Sequence, residues 1–154
     1  MTIALPLRLR YHVRTFVFVR RRIMATWQTN PILLLGSDLL ILGLAAMLRA
    51  RGRRVLARGG EHQDLDMVLA GPRPAAIMID LMTAWRDDFA LLRRIRLLSQ
   101  FSGVPVLVLS PGTVTDDHAL LDSRLRALGV QPLLSPHDLD DVLNELERSL
   151  VSVA

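Results

Sequence analysis

Residues 75–85 read AAIMIDLMTAW, and this stretch decides the fold of the chain. Five apolar residues lead directly into Asp80, and the apolar Leu81 and Met82 follow it. A continuous apolar run of this length is typical of a strand that is buried on both faces of a parallel sheet. A carboxylate rarely ends such a strand unless it has a partner or a function. Asp80 is therefore either a reactive group or only the polar end of a buried strand.

Apolar segments alternate with helical patterns on both sides of this stretch. Strands are predicted at 32–35, 54–57, 75–79, 104–109 and 131–134, and helices near 39–50, 61–70, 87–99, 116–128 and 138–150. The first, third and fourth strands are nearly all apolar, as expected for the middle of a parallel sheet, and the other two suit its edges. We therefore predict an α/β domain, a doubly wound three-layer sandwich with a five-stranded parallel sheet.

The composition fits one folded domain and excludes several kinds of chemistry. Of the 154 residues, 51% are hydrophobic and 22% are charged, which favours a folded chain over a disordered one. There is no cysteine, so disulfides, thiolate metal sites and cysteine nucleophiles are excluded. All 19 basic residues are arginine. Every mechanism that needs a lysine ammonium is therefore excluded as well.

The positive charge is concentrated at one end of the chain. Residues 1–30 contain six arginines and no acid, whereas residues 31–154 contain 13 arginines and 15 acids. We divide the chain into a basic extension (1–30), a domain (31–150) and a tail (151–154). The extension is predicted to be disordered or loosely attached; an edge strand, a contact with anionic lipid and a nucleic-acid arm remain open alternatives. The position of Met24 also allows the first 23 residues to be an upstream start artefact.

Residues 31–50, PILLLGSDLLILGLAAMLRA, admit a membrane alternative. Their length is close to the roughly 20 residues of a spanning helix. Asp38 interrupts the run, and an aspartate there costs about 2.5–3.5 kcal/mol on insertion scales. We therefore favour a strand, a turn at 36–38 and an apolar helix. No apolar stretch of signal-peptide type follows the first charges, so we expect a cytoplasmic protein; a membrane-associated protein anchored by the N-terminal segment is the alternative from another class.

The residues that follow the predicted strands are the candidates for a site, because ligands gather at the carboxyl ends of parallel strands. They are Gly36, Ser37 and Asp38 after the first strand, Asp80 after the third, Ser110 after the fourth, and Ser135 and Pro136 after the fifth. No glycine-rich nucleotide motif or nucleophile elbow is present, and the four histidines are scattered without metal-ligand spacing. No nucleophile–base pair is visible either. We therefore do not expect an enzyme.

Residues 31–150 resemble the receiver domains of bacterial two-component response regulators. IDLM at 79–82 is similar to the strand end that carries the phospho-accepting aspartate. VPVLVLS at 104–110 is similar to the strand that ends in a switch serine or threonine, and LRALGV at 125–130 with Ser135-Pro136 is similar to the stretch that ends in Lys-Pro. The resemblance implies a flavodoxin-like fold with strand order 2-1-3-4-5. It implies that Asp80 is the phospho-acceptor candidate and that Ser110 and Ser135 are the phosphoryl or switch candidates.

The resemblance also implies a magnesium site, which this sequence fills poorly. Receivers hold Mg²⁺ with an acid pair after the first strand, the acceptor aspartate and a backbone carbonyl. Here Asp38, Asp80 and the carbonyl of Met82 are the candidate ligands. The two positions of the acid pair correspond to Gly36-Ser37 or, shifted by one residue, to Ser37-Asp38. Ser135 occupies the position of the lysine and supplies no charge. Any Mg²⁺ site is therefore expected to be weak, and no other cofactor is expected.

Some of the residues that carry the conformational switch in the family are missing from this sequence as well. No aromatic residue follows Phe101, and Leu133 occupies the place of the usual tyrosine or phenylalanine on the fifth strand. Pro111 stiffens the segment after Ser110. We therefore predict a stand-alone pseudo-receiver in phosphorelay signalling, which acts through protein–protein contacts with weak or no phosphorylation of Asp80. A phosphorylatable receiver that accepts the group from a histidine kinase is the alternative.

The resemblance further implies where partners bind. A histidine kinase or another signalling protein is the expected partner, and the face formed by the fourth helix, fifth strand and fifth helix is the family's usual partner or dimer surface. The charges of this face are predicted to come from five side chains: Arg124, Arg126, Asp140, Asp141 and Glu145. We expect no DNA-binding domain, and membrane contact by the N-terminal arm remains a lesser alternative.

Overall fold

The structure, a computed structural model, describes residues 30–36, 39–59, 66–68, 70–110, 118–134 and 139–152. The strands are β1 (Ile32–Leu35), β2 (Val55–Arg58), β3 (Ala76–Asp80), β4 (Val106–Ser110) and β5 (Gln131–Leu134). The helices are α1 (Leu39–Ala50), α2 (described at 66–68), α3 (Leu81–Leu97), α4 (His118–Ala127) and α5 (Leu139–Ser152), and a 3₁₀ turn at Ser99–Phe101 precedes β4.

The five strands form one parallel sheet in the order β2-β1-β3-β4-β5. All described residues of β1, β3 and β4 are buried, whereas β2 at the edge is only half-buried. This difference explains why the three central strands are nearly continuous apolar runs in the sequence. The predicted fold class, the doubly wound flavodoxin-like sandwich, is confirmed.

Two apolar cores lie on the two faces of the sheet. In β1, Leu33 and Leu35 belong to the core under α3 and α4, and Ile32 and Leu34 belong to the core under α1 and α5. Successive side chains of a strand point to opposite faces, so every residue of a central strand must be apolar. The two cores therefore fix the sheet between its helical layers and hold the carboxyl ends of the strands in one row.

Most of the predicted elements lie where the sequence placed them. The strand at 32–35 and the helix at 39–50 are confirmed at both ends, and the two flank a short connection instead of forming one helix. In the described part of the chain, no helix has both the length and the apolar character of a membrane span. Outside the described residues lie residues 1–29 of the predicted extension (1–30), residues 61–65 and 69 of the predicted helix (61–70), residues 153–154 of the predicted tail (151–154), Asp38 and Ser135.

The third predicted helix is wrong at its start. Helix α3 begins at Leu81 and not at 87, and its backbone leaves the helical conformation between Arg86 and Phe89. Asp87, Asp88 and Phe89 have φ angles of 51°, 51° and 64°, in the left-handed region. The two aspartates therefore do not serve as the first turn of a helix that begins there. They lie inside a break between two helical segments.

Two of the surface charges predicted for the fourth helix, fifth strand and fifth helix have other roles. Glu145 is buried and accepts hydrogen bonds from Gln131 at 2.6 Å and from Arg148. Arg124 reaches away from that face to Asp88 on α3. The charge pattern of the sequence did not reveal these contacts, since both residues lie on helices with many exposed charged neighbours.

Candidate functional site

Three polar or small positions meet at the carboxyl edge of the central strands. Leu35 pairs with Ile79, so Gly36 and Asp80 lie side by side directly after them. Asp80 pairs with Leu109, which places Ser110 next to it on β4. Asp80 is 2% exposed and Ser110 is 3% exposed. The structure thus brings two of the predicted site residues to one buried edge, as the parallel topology requires.

Both oxygens of the Asp80 carboxylate accept a hydrogen bond from one residue of the helix that follows it. Oδ1 accepts a hydrogen bond from the backbone N–H of Thr83 at 2.7 Å, and Oδ2 accepts one from the Thr83 hydroxyl at 2.7 Å. Asp80 has extended backbone angles, and Thr83 is the third residue of α3. Asp80 is therefore the N-cap of α3, a role for which aspartate is among the preferred residues.

Gly36 supplies the space that this carboxylate occupies. A Cβ atom built on Gly36 would lie 1.6 Å from Oδ2 of Asp80 and 3.1 Å from Cγ1 of Ile41. The φ angle of Gly36 is 145°, which residues with a side chain rarely adopt. The backbone N–H of Gly36 is held by the carbonyl of Arg58 at 2.8 Å. Any residue larger than glycine at position 36 would therefore displace Asp80 from its cap position.

The described residues contain two of the three candidate magnesium ligands, Asp80 and Met82. Mg²⁺ needs several oxygen ligands in near-octahedral order. Within the described segments, no group of three or more acidic, histidine or cysteine side chains lies close enough to hold a metal. Gly36 contributes no side chain, and Met82 lies in the first turn of α3, where carbonyls point along the helix toward its C-terminus. Binding at Asp80 and Met82 would require this turn to unwind, and the ligand role of Asp38 remains a prediction.

An aromatic and ionic cluster adjoins this turn. The rings of Trp85 and Phe89 are stacked with their centroids 6.1 Å apart, and the guanidinium of Arg124 lies 5.1 Å from the centroid of Phe89. Asp88 accepts hydrogen bonds from Arg93 at 2.8 Å and from Arg124 at 2.5 Å. These two partners, the hydrogen bond from Arg93 foremost, lower the pKa of Asp88. The cluster ties the break in α3 to α4.

Sequence reasoning placed Gly36 and Asp80 at the same edge of the sheet but missed the contacts that Asp80 makes with Thr83 and Gly36. Thr83 follows Asp80 by three residues, which is the spacing of an N-cap and the amide that it accepts from. That spacing is a readable signal for a helix that begins at 81. No signal in one sequence marks the contact of Gly36 with Asp80, because it joins two strands that are 44 positions apart.

Comparisons with known proteins give matches by structure only. No protein-family model and no curated protein matches the chain. A sensor protein from Polaromonas sp. JS666 is 24% identical with a TM-score of 0.65, over 82% of this chain and 99% of that one. The chemotaxis response regulator CheY4 of Vibrio cholerae is 20% identical with a TM-score of 0.62, over 78% and 98%.

A third similar structure carries a metal. It is the receiver domain of the sensor histidine kinase PA1611 from Pseudomonas aeruginosa PAO1, with a magnesium ion coordinated in its active-site cleft. It is 22% identical with a TM-score of 0.62, over 79% of this chain and 98% of that one. In each of these three comparisons about four-fifths of this chain matches almost the whole of the other chain. The chain therefore has the fold of the receiver domains of two-component signalling proteins.

Proposed function

We propose that this chain is an atypical receiver domain in two-component signalling, which acts by contacting protein partners and in which Asp80 has a structural role. The observation that carries the proposal is the double hydrogen bond from Thr83 to both carboxylate oxygens of a side chain that is 2% exposed. An acceptor carboxylate must present one oxygen to the phosphorus atom of the donor. Here each oxygen already accepts a hydrogen bond from Thr83, and the carboxylate is buried, which hinders the approach of a donor.

The lack of a lysine and the weak magnesium site support the same proposal. Phosphoryl transfer depends mainly on positioning and on neutralisation of the phosphoryl charge. The chain contains no lysine, and glycine stands at position 36, beside the carboxylate. With Asp38 as the only other candidate acid, magnesium would bind weakly. We assign no catalytic activity to the domain, and we place its work in the cytoplasm with a histidine kinase or another signalling protein as partner.

The experiment combines phosphorylation with two variants. The full chain, Asp80→Asn and Thr83→Ala are incubated with Mg²⁺ and acetyl phosphate, and the intact mass of each protein is measured. Asp80→Asn is a matched control because asparagine retains the oxygen that caps α3. We expect little or no phosphoryl gain in the wild type. We expect more gain in Thr83→Ala, because one of the two bonds that hold the carboxylate is lost.

One outcome would contradict the proposal, and another would contradict the role given to Thr83. Near-complete phosphorylation of the wild type, absent in Asp80→Asn, would establish the alternative function, a phosphorylatable receiver that accepts the group from a histidine kinase. An equal and low gain in wild type and Thr83→Ala would show that the Thr83 contacts are not what prevents the reaction. The lack of a lysine ammonium to neutralise the phosphoryl charge would then be the cause of the low gain.

The partner surface is proposed on α4, β5 and α5, where it can also join two copies of the chain. The exposed part of α4 carries Leu120, which is 63% exposed, and the ion pair of Arg126 with Asp122 at 2.7 Å. An exposed leucine among paired charges suits the centre of a small protein–protein interface. Sedimentation velocity of the wild type against Leu120→Gln tests the dimer, which we expect to be weakened by the substitution. An identical monomeric profile for both proteins would remove it.

A further inference from the structure

Helix α1 is apolar on the side that faces solvent as well as on the side that faces the sheet. Ile41, Leu44, Ala45 and Leu48 pack into the core. The outward side carries exposed residues without a single polar side chain between 39 and 47: Leu39 (82% exposed), Leu42 (53%), Gly43, Ala46 and Met47 (50%). A helix that is apolar all round is normally buried on all sides. The outward side therefore marks a surface that is covered when the protein works.

The segment that follows this surface in the sequence is rich in arginine. Between residues 39 and 59 there are five arginines and no acid. Four of them follow the apolar face within six residues: Arg49, Arg51, Arg53 and Arg54. Arg51 is paired with Asp140 on α5 at 2.8 Å, yet its side chain remains 49% exposed. The C-terminal end of α1 thus presents several guanidinium groups close to its apolar outward side.

We propose that the outward face of α1 and the arginines at its C-terminal end bind the surface of an anionic lipid bilayer. An apolar helix face bordered by arginine is the combination that places a helix in the plane of a membrane interface. The apolar side chains enter the acyl boundary, and the guanidinium groups remain with the headgroup phosphates.

The composition of the face favours lipid over a protein partner. Protein interfaces rely on aromatic and arginine anchors and on about one hydrogen bond per 100–200 Å². Between residues 39 and 47, the outward face of α1 offers neither an aromatic ring nor a hydrogen-bonding side chain. A two-fold contact between two copies would bring together two segments that are both positive. A bilayer needs no specific hydrogen bonds and supplies the negative charge.

The geometry restricts this contact to the membrane surface. Twelve residues of helix span about 18 Å, which is shorter than the hydrocarbon core of about 30 Å. The other side of α1 is fixed to the sheet by its core residues. The helix therefore lies in the interface, and the fold does not have to open.

The test is flotation of the full chain with vesicles of phosphatidylglycerol and phosphatidylcholine, compared with vesicles of phosphatidylcholine alone. We expect binding to the anionic vesicles, weakened when the salt concentration is raised because the charge attraction is screened. The double variant Leu42→Gln/Met47→Gln should bind at least about tenfold more weakly, because both substitutions remove apolar surface from the contact. The matched control is Met67→Gln/Leu97→Gln, which changes an exposed methionine on α2 and an exposed leucine on α3 and should bind as the wild type does.

Several outcomes would overturn the proposal. One is no binding of the wild type to anionic vesicles. Another is equal binding of the wild type and Leu42→Gln/Met47→Gln, which would assign the binding to the six arginines of residues 1–29. A third is a wild-type dimer that the α1 variant abolishes while no vesicle binding occurs, which would assign the face to a second copy. Matching thermal melting curves of the two variants and the wild type ensure that each loss is local.

Discussion

Arg124 on α4 donates a hydrogen bond to Asp88 in the break of α3, with 2.5 Å between the nitrogen and the carboxylate oxygen. The same guanidinium lies over the ring of Phe89. Arg93 bonds the other oxygen of Asp88 at 2.8 Å. Residues 87–89 are all in the left-handed region, where each residue with a side chain costs about 1–2 kcal/mol. The contacts of Arg93 and Arg124 offset part of that cost, so the break in α3 depends on the charge of Asp88.

This charge predicts a pH dependence of stability. Its arginine partners, Arg93 foremost, hold the pKa of Asp88 below its ordinary value in the folded state. The contribution of Asp88 is therefore present above its unfolded pKa of about 3.9 and is lost as the pH falls through the folded pKa. We expect Asp88→Asn to melt at a lower temperature than the wild type at pH 7. The difference should shrink below about pH 4. Thermal melting from pH 7 to pH 3 measures it, and a difference that stays constant would contradict the prediction.

A second prediction concerns the backbone at Asp87. Asp87 has a φ of 51° and a ψ of 43°. This is a left-handed conformation that glycine adopts at no steric cost and that β-branched residues avoid. We expect Asp87→Gly to be neutral or to raise the free energy of unfolding by up to about 1 kcal/mol. Asp87→Val should lower it by about 1–3 kcal/mol. Urea denaturation of the two variants checks this order. Equal stability of both would mean that residue 87 is helical in solution.

A third prediction follows from the contact between Gly36 and Asp80. In Gly36→Ala the new methyl group would lie 1.6 Å from Oδ2 of Asp80 unless one of them moves. The positive φ adds strain, so we expect a loss of about 2–4 kcal/mol in the free energy of unfolding. Part of this loss is steric and should disappear in an Asp80→Ala background.

The double-mutant cycle separates the two causes. If Asp80 occupies the space beside Gly36, then Gly36→Ala costs less when Asp80 is alanine, and the coupling between the two substitutions is at least about 1 kcal/mol. Additive effects would place the carboxylate elsewhere. The measurement is urea denaturation of the wild type, both single variants and the double variant.

The sequence predicted what depends on local patterns. The apolar run of β1 and the helical spacing of α1 gave both elements with their ends, because burial on one or both sides dictates these residues. The strand order follows from the receiver resemblance. The placement of Asp80 and Ser110 at one edge follows from any parallel sheet.

What the sequence did not reveal depends on contacts between distant segments. The start of α3 was predicted six residues late, because Asp87-Asp88 before Phe89 is a good helix start by propensity. Contacts of Asp88 with α4 outweigh that preference. The burial of Glu145 depends on Gln131, which is on another element. Propensity contains no information on such pairs.

The last prediction concerns Arg96, which joins three elements at the amino edge of the sheet. From α3 it donates to the carbonyl of Val104 at 3.1 Å and to the carbonyl of Gly129 in the turn before β5. Its guanidinium is partly buried, and this burial lowers the pKa of Arg96. Its Nε is buried without a hydrogen-bond partner. The side chain thus makes two useful bonds at the cost of desolvating one N–H group.

Substitutions of Arg96 separate the contribution of its hydrogen bonds to stability from the contribution of its packed apolar stem. Arg96→Met keeps most of the apolar stem but leaves both carbonyls without this donor, so we expect a loss of about 1–3 kcal/mol in the free energy of unfolding. Arg96→Lys keeps one donor group, so it should lose less stability than Arg96→Met. It should still be less stable than the wild type, because an ammonium lacks the fork that reaches two carbonyls at once. Urea denaturation of both variants gives the two values. A methionine variant as stable as the wild type would show that the relief of the buried Nε offsets both lost bonds, and that Arg96 does not hold α3 to the turn before β5.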